Sequence, residues 1–235
     1  MIKVNANLGA TKELVKMNID KTEINKKTYR TFKRIIDIIG ALVGCIVLLP
    51  LTLVIWIANI IAKDNGPVFY AHKRIGKNGK EFKMYKFRTM CMNAHDMVKD
   101  EESMKRYFTE EQIEEWKENF KIDDDPRITK IGKFLRKTSL DEIPQVINIL
   151  KGELSIIGPR PVIGEELEKY EENKEKFLSV TPGLTGYWAA NGRSDTDYEE
   201  RMKMELYYVQ NLSLKLDIQI FFKTIVSVLK REGAK

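Results

Sequence analysis

From Ile38 to Ala62 the chain runs 25 residues without a charged side chain. A helix crossing the hydrocarbon core of a bilayer needs about 20 residues, and a buried helix in a soluble protein seldom stays uncharged for so long. A cleaved secretory leader is a poor match, because the run starts late, is too long and lacks a small-residue cleavage site. The segment is therefore expected to be a membrane-embedded helix. Whether it crosses is a separate question. Lys33 and Arg34 precede it, and Lys63 follows it, ahead of Lys73, Arg74, Lys77, Lys80, Lys83, Lys86 and Arg88. Positive charge beside membrane segments favours the cytoplasmic side, and here both ends claim it. Pro50, at the midpoint, removes one backbone donor and presses on the carbonyl four residues earlier. A sharp bend there returns the chain to the face it entered from. A kinked spanning helix is the alternative, since proline is tolerated in membrane helices.

The chain carries a net charge of +6, and all of it lies in residues 1–34, which hold nine basic and three acidic side chains. Such an arm suits anionic lipid headgroups. The rest is neutral overall but uneven: residues 63–94 carry +6, 95–126 carry −7 and 127–161 carry +4. Two cysteines and two histidines leave no room for a disulfide scaffold or a metal centre built on those residues. The basic charge invites a nucleic-acid reading, but no aromatic-interleaved basic face or recognition motif accompanies it.

After Lys63 the sequence reads as a globular domain. Asn78-Gly79 is a hairpin-turn signal between strands at Val68–Arg74 and Lys80–Met90. Alternation puts Lys86 and Arg88 on one strand face with Phe82 and Met84. Residues 96–125 are acidic and helical, with Trp116 and Phe120 spaced to pack on the body. The Asp123-Asp124-Asp125 run before Pro126 reads as a loop. Ile131–Leu135 and Ile143–Leu150 have helical spacing, with Gly152 as a stop. Glu165–Phe177 reads as a further charged helix. Near the end, Leu214, Ile218, Phe221, Phe222, Ile225 and Leu229 form an apolar stripe beside Lys215, Lys223 and Lys230. That amphipathic helix could face a core or a membrane interface.

Few side chains offer chemistry. His72 and His95 lack partner motifs, Cys45 and Cys91 lack activating neighbours, and there is no P-loop or GxGxxG. The segment Lys137-Thr138-Ser139-Leu140-Asp141-Glu142-Ile143-Pro144-Gln145 stands out. Asp141 and Glu142 open a helix, where negative charge is favoured, so both are expected to stay ionised. An ionised aspartate can attack phosphorus, and a neighbouring glutamate can hold magnesium against phosphate oxygens. The competing reading is a capping box, Ser139 with Glu142, that serves only the helix start. Arg88, Arg127, Arg136, Lys137, Arg160 and Arg193 fall near these motifs, and arginine pairs bidentately with phosphate.

At these motifs the chain resembles the bacterial sugar transferases, specifically the monotopic (small) phosphoglycosyl transferases. The matching pieces are Phe32-Lys33-Arg34-Ile35-Ile36-Asp37, Pro50, Gly66-Pro67-Val68-Phe69 and Tyr85-Lys86-Phe87-Arg88-Thr89-Met90. They continue through Asp125-Pro126-Arg127-Ile128-Thr129, the stretch Leu135–Gln145, Leu150-Lys151-Gly152-Glu153-Leu154-Ser155 and Gly158-Pro159-Arg160-Pro161. Pro182-Gly183-Leu184-Thr185-Gly186 and Asn191-Gly192-Arg193 complete the set, so the likeness runs from about Thr31 to Lys230. The resemblance implies a re-entrant helix broken at Pro50 on the cytoplasmic face of a bacterial cell membrane. It implies that Asp141 attacks the sugar-bearing phosphate of a UDP-sugar and expels UMP, and that a polyprenyl phosphate then takes the sugar phosphate, starting exopolysaccharide, capsule or glycoconjugate assembly. Glu142 would bind Mg2+. Arg136, Arg160 and Arg193 match positions lining the phosphate and nucleotide site, and Lys86 and Arg88 match the basic strand. Two departures matter. Leu49 stands where some characterised members have serine before the membrane proline, so the break must rest on Pro50 and packing alone. Tyr187-Trp188-Ala189-Ala190-Asn191 differs from the Leu-Trp-Gln-Val-Ser of many hexose-transferring relatives, which leaves the sugar open.

The expected architecture is α+β: an N-terminal proline-broken re-entrant membrane helix and a small cytoplasmic α/β domain with a short antiparallel hairpin and interfacial amphipathic helices. Its parts are a basic arm at 1–34, the membrane helix at 35–62 and a catalytic domain at 63–235 with an acidic helical insertion at 96–125. The expected partners are a UDP-sugar, polyprenyl phosphate and membrane lipids, with no nucleic acid; a homo-oligomer is compatible with the sequence. The rival is a catalytically inactive membrane-anchored scaffold of the same fold.

Overall fold

The computed structural model describes residues 23–119, 122, 124–192 and 196–230. Most of the basic arm, Phe120, Asp123 and Arg193 therefore lie outside the described residues. Helix α1 (Glu23–Ile61) is followed by strands β1 (Phe69–Ile75) and β2 (Glu81–Phe87), then by α2 (Glu101–Tyr107) and α3 (Glu110–Asn119). Next come α4 (Lys130–Lys137), a 3-10 segment (Leu140–Gln145) and α5 (Val146–Lys151). Strand β3 (Ser155–Ile157), α6 (Gly164–Glu168), α7 (Lys174–Leu178), β4 (Gly183–Thr185) and α8 (Tyr187–Asn191) lead to α9 (Tyr198–Gln210) and α10 (Leu214–Lys230). Strands β1 and β2 pair antiparallel, and β3 and β4 pair parallel. The charged stretch after Ile163 is not one helix: Glu171, at φ 44, separates α6 from α7.

The chain stays helical through Pro50, so the break expected there does not interrupt α1. Proline costs a helix the one bond its own nitrogen would donate. In the following turn Thr52 donates its hydroxyl to the Leu48 carbonyl at 2.7 Å, a contact that bends helices rather than breaking them. Packing acts on both sides of the proline. Asp37, Ala41, Leu48, Ile55 and Asn59 form one buried stripe against the domain. A Cβ on Gly44 would come within 2.6 Å of the Val146 side chain, so the close seat of α1 on α5 needs a residue that small. The other faces are bare: Leu42, Ile46, Leu49, Leu53, Val54 and Ile61 are all exposed. Only 17% of the most apolar window of α1 is buried in the protein.

Both ends of α1 are fastened to the same domain. Lys33 pairs with Asp217 of α10 at 2.8 Å, and the Tyr29 hydroxyl donates to the same carboxylate at 2.9 Å. Arg34 donates to the carbonyls of Ile149 and Leu150 at 2.5 and 2.8 Å, which are carbonyls that the end of α5 leaves without helical partners. Two cations that the sequence reading assigned to lipid headgroups are thus used inside the protein. Just past the far end of α1, Asp64 pairs with Arg88 at 2.9 Å.

The main core joins Ala41, Leu48 and Ile55 of α1 to Phe82, Met84 and Phe87 of β2, Leu135 of α4 and Val146 and Ile149 of α5. The hairpin forms where Asn78-Gly79 places it, with φ of 57 and 76 at those residues. Among the described residues, no third strand pairs with the outer edge of β2. The fully buried Asn148 serves instead: it accepts from the Tyr85 amide at 3.0 Å and donates to the Lys83 carbonyl at 2.7 Å. The acidic insertion forms its own apolar cluster of Met97, Met104, Phe108, Ile113 and Ile122, with Trp116 against it. On α10 the apolar stripe does not enter the core: Ile218, Phe221, Phe222 and Ile225 are exposed, while Asp217, Ile220 and Ser227 are buried.

Asn148→Leu keeps the branched side-chain shape but leaves the part-buried Tyr85 amide and Lys83 carbonyl without this partner. At roughly 1–3 kcal/mol per orphaned group, we expect a loss of several kcal/mol, read as a lower unfolding temperature in detergent. An unchanged unfolding temperature would show that Asn148 does not hold the edge of β2.

Candidate active site

Three segments converge on one cavity. Strand β2 contributes Met84 and Lys86, the 3-10 segment contributes Glu142 and Gln145, and the loop after β3 contributes Arg160. The floor is Gly183–Gly186 with Trp188 and Glu205. Strands β3 and β4 meet closely behind it. A Cβ on Gly183 would lie 2.1 Å from the Gly158 nitrogen, so no other residue fits there.

The capping box does not form. Ser139 sits in the left-handed region (φ 55, ψ 17), and its side chain makes no cap hydrogen bond. An N-cap aims its side chain at the helix amides from extended backbone, which Ser139 lacks. Glu142 instead accepts from Lys86 Nζ at 2.8 Å. The same ammonium lies 3.9 Å from Asp141. Asp141 is buried, and that burial raises its pKa above the usual carboxylate range, against the attraction of Lys86. Desolvation thus works against the ionisation expected at a helix start.

Arg136 is largely buried and donates from Nε to the Thr89 hydroxyl at 3.0 Å. Burial lowers its pKa, and the Asp141 carboxylate works against that shift. Arg160 lies over the Trp188 ring at 5.8 Å. Arg88 turns away: it pairs with Asp64 and donates to the carbonyls of Pro67 and Met90 at 2.6 and 3.2 Å, closing the loop before β1. Arg127 is also absent from the cavity. It forms a buried two-pronged pair with Asp125 and stacks 4.6 Å from the Trp116 ring, docking the insertion. The acidic run is accordingly structural where it is described, with Asp124 bound to Lys133 at 2.5 Å. Lys86, Glu142 and Arg160 thus line one cavity, Asp141 lies within 3.9 Å of Lys86 with Arg136 near enough to feel its charge, Arg88 is elsewhere, and Arg193 lies outside the described residues.

A second cluster behind the cavity was not anticipated. Glu166 takes Arg74 and Arg201 at 3.2 and 3.3 Å. Arg201 stacks on Trp188 and Tyr198 at 4.9 and 5.0 Å. Glu205, only 1% exposed, accepts from the Arg160 amide at 3.1 Å. Burial pushes its pKa up to about 7. The signal was available: Arg201 and Glu205 are spaced i, i+4 on the same face as Tyr208, an apolar face where charge needs a reason.

Lysine and arginine beside a carboxylate pair are side chains that can hold a phosphate-bearing anion. Residues 28–231 match the bacterial sugar transferase family, and the chain belongs to it. It is 45% identical over 221 residues to an uncharacterized sugar transferase of Haemophilus influenzae, covering 94% of this chain and 45% of that protein. It is 42% identical over 216 residues to the undecaprenyl-phosphate galactose phosphotransferase of Salmonella typhimurium, covering 91% and 44%. With the exopolysaccharide production protein ExoY of Sinorhizobium fredii it shares 44% identity over 204 residues, covering 86% and 87%. The chain spans less than half the length of the first two relatives and most of the third.

Glu205 gives this site a stability signature. Its pKa is raised in the fold, so the folded state holds the proton more tightly than the unfolded chain. Stability contributed by the neutral form is present below the unfolded value and lost as pH rises through about 7. The Glu205→Gln protein should therefore gain unfolding temperature relative to wild type as pH rises from about 4.5 to about 7. A difference that stays flat with pH would refute this assignment.

Proposed function

We propose that this protein transfers a sugar-1-phosphate from a UDP-sugar to a polyprenyl phosphate, with release of UMP. One observation carries the reading: Lys86, Glu142 and Arg160 line one cavity, and the Lys86 ammonium that pairs with Glu142 also lies 3.9 Å from the Asp141 carboxylate. The Salmonella relative's name specifies undecaprenyl phosphate and a sugar phosphate, which agrees with it. An Asp141 carboxylate oxygen attacks the sugar-bearing phosphorus, and the bond from that phosphorus to the UMP oxygen breaks, its electron pair leaving with UMP. An oxygen of the polyprenyl phosphate then attacks the same phosphorus and breaks the Asp141 ester, restoring the carboxylate. Lys86 and Arg160 hold the phosphate oxygens, and Arg136 favours the ionised form of Asp141. Two adjacent carboxylates with a phosphate substrate suit Mg2+, which commonly takes one or two protein carboxylates plus phosphate oxygens. Glu142, beside Asp141, would hold it, and the ion would neutralise charge on the phosphates.

The bare faces of α1 and α10 call for lipid. Because α1 is tied to one polar domain at both ends and along its buried stripe, both ends belong on the same side of the membrane. The position of the domain on the cytoplasmic face follows from the basic flanks.

Asp141→Asn should abolish UMP release from UDP-sugars, and chelation of divalent ions should do the same to wild type. Mass spectrometry of wild type given UDP-sugar without lipid acceptor should find a phosphosugar on Asp141. Full turnover by Asp141→Asn would remove Asp141 as nucleophile. For topology, single cysteines at Asn25 and Asn65, with Cys45 and Cys91 replaced by serine, should both label from the cytoplasm. Labelling from opposite sides would mean a spanning helix.

A further inference from the structure

Glu205 is held at one oxygen only. Its Oε1 accepts from the Arg160 amide. Its Oε2 is shielded from bulk solvent and has no hydrogen-bond partner among the described residues. A buried carboxylate oxygen left without a donor is costly. The fold does not spend it on Arg201, whose Nε and Nη2 are also without partners there. Glu205 nevertheless lines the same cavity as Lys86, Glu142, Arg160 and Trp188.

The chemistry of these neighbours divides the cavity's work. Lys86 and Arg160 suit phosphate. The Trp188 indole, backed by Arg201, offers a flat apolar surface. A sugar ring presents an apolar C–H face together with hydroxyl donors. A carboxylate beside an indole wall meets both needs.

We propose that Glu205 Oε2 accepts a hydrogen bond from a ring hydroxyl of the bound sugar nucleotide, making Glu205 and Trp188 the part of the cavity that reads the ring. This rests on the transferase reading above. A pocket built to bond a particular hydroxyl discriminates strongly against the analogue that lacks it, because its buried polar group is then left unpaired. The hydroxyl belongs either to the transferred sugar or to the ribose of the nucleotide, and substrate analogues separate the two.

The test uses the full chain in detergent. The donor is whichever of UDP-glucose, UDP-galactose and their N-acetyl counterparts wild type turns over. UMP release is then measured for that donor, for its monodeoxy forms on the hexose and for its 2′-deoxyuridine form, in wild type, Glu205→Gln and Glu205→Met. For the parent donor we expect kcat/KM to fall about tenfold in Glu205→Gln and further, by about 100-fold, in Glu205→Met. For one deoxy analogue the gap between wild type and the variants should close to about threefold. Closure on a hexose analogue assigns Glu205 to sugar selection, and closure on the 2′-deoxyuridine donor assigns it to the nucleotide. The same proportional loss against every analogue overturns the proposal, because a merely structural residue would not distinguish hydroxyls. Failure of both variants to fold, read by thermal melting, overturns it as well. Absence of UMP release by wild type from every donor would instead sink the transferase reading.

Discussion

A buried carboxylate fastens the apolar helix to strand β3. Asp37 of α1 accepts from the Ser155 hydroxyl at 3.0 Å and from the Ile156 amide at 2.8 Å. An aspartate in that position needs donors, and β3 supplies them. The contact fixes α1 against β3, and β3 leads directly into Gly158-Pro159-Arg160-Pro161. Arg34, one turn earlier, holds the end of α5, whose other end continues from the 3-10 segment bearing Asp141 and Glu142. The helix with the bare apolar surface is thus also a wall of the core behind the carboxylate pair. The bare apolar surface and the geometry of the site are therefore not separable in this fold.

The uneven charge of the sequence resolves into distinct uses. Some cations are spent on structure: Arg34 on carbonyls, Lys33 on Asp217, Arg88 on Asp64 and Arg127 on Asp125. Lys86 and Arg160 converge on the cavity, and Arg136 stands near the Asp141 carboxylate. Bringing like charges together is costly unless anions intervene, and Glu142, paired with Lys86, supplies part of that balance. The acidic insertion does not neutralise the cavity. It packs on its own apolar cluster and is docked by Arg127 between aromatic rings and Asp125.

Local signals carried a good share of the fold. Asn78-Gly79 demanded a turn with positive φ, and the hairpin formed around it. Gly152 stopped α5 in the left-handed region, at φ 79. The Ser139-to-Glu142 spacing misled, because spacing does not report backbone conformation, and Ser139 adopts one in which its hydroxyl cannot cap. Arg88 misled similarly. Strand alternation placed it with Lys86, but the strand ends at Phe87, and the next side chain is free to turn toward Asp64.

The sequence by itself determined that an uncharged apolar run precedes a domain of uneven charge with an Asp141-Glu142 pair, since these are properties of composition and short spacing. Only the tertiary structure decided that α1 continues through Pro50 and is tied down at both ends, because those ties come from residues as far along the chain as Asp217. It also decided which arginines face the cavity, and it placed Glu205 there, 63 residues beyond Glu142. Burial and partner choice depend on which distant segments meet, and no local pattern encodes that.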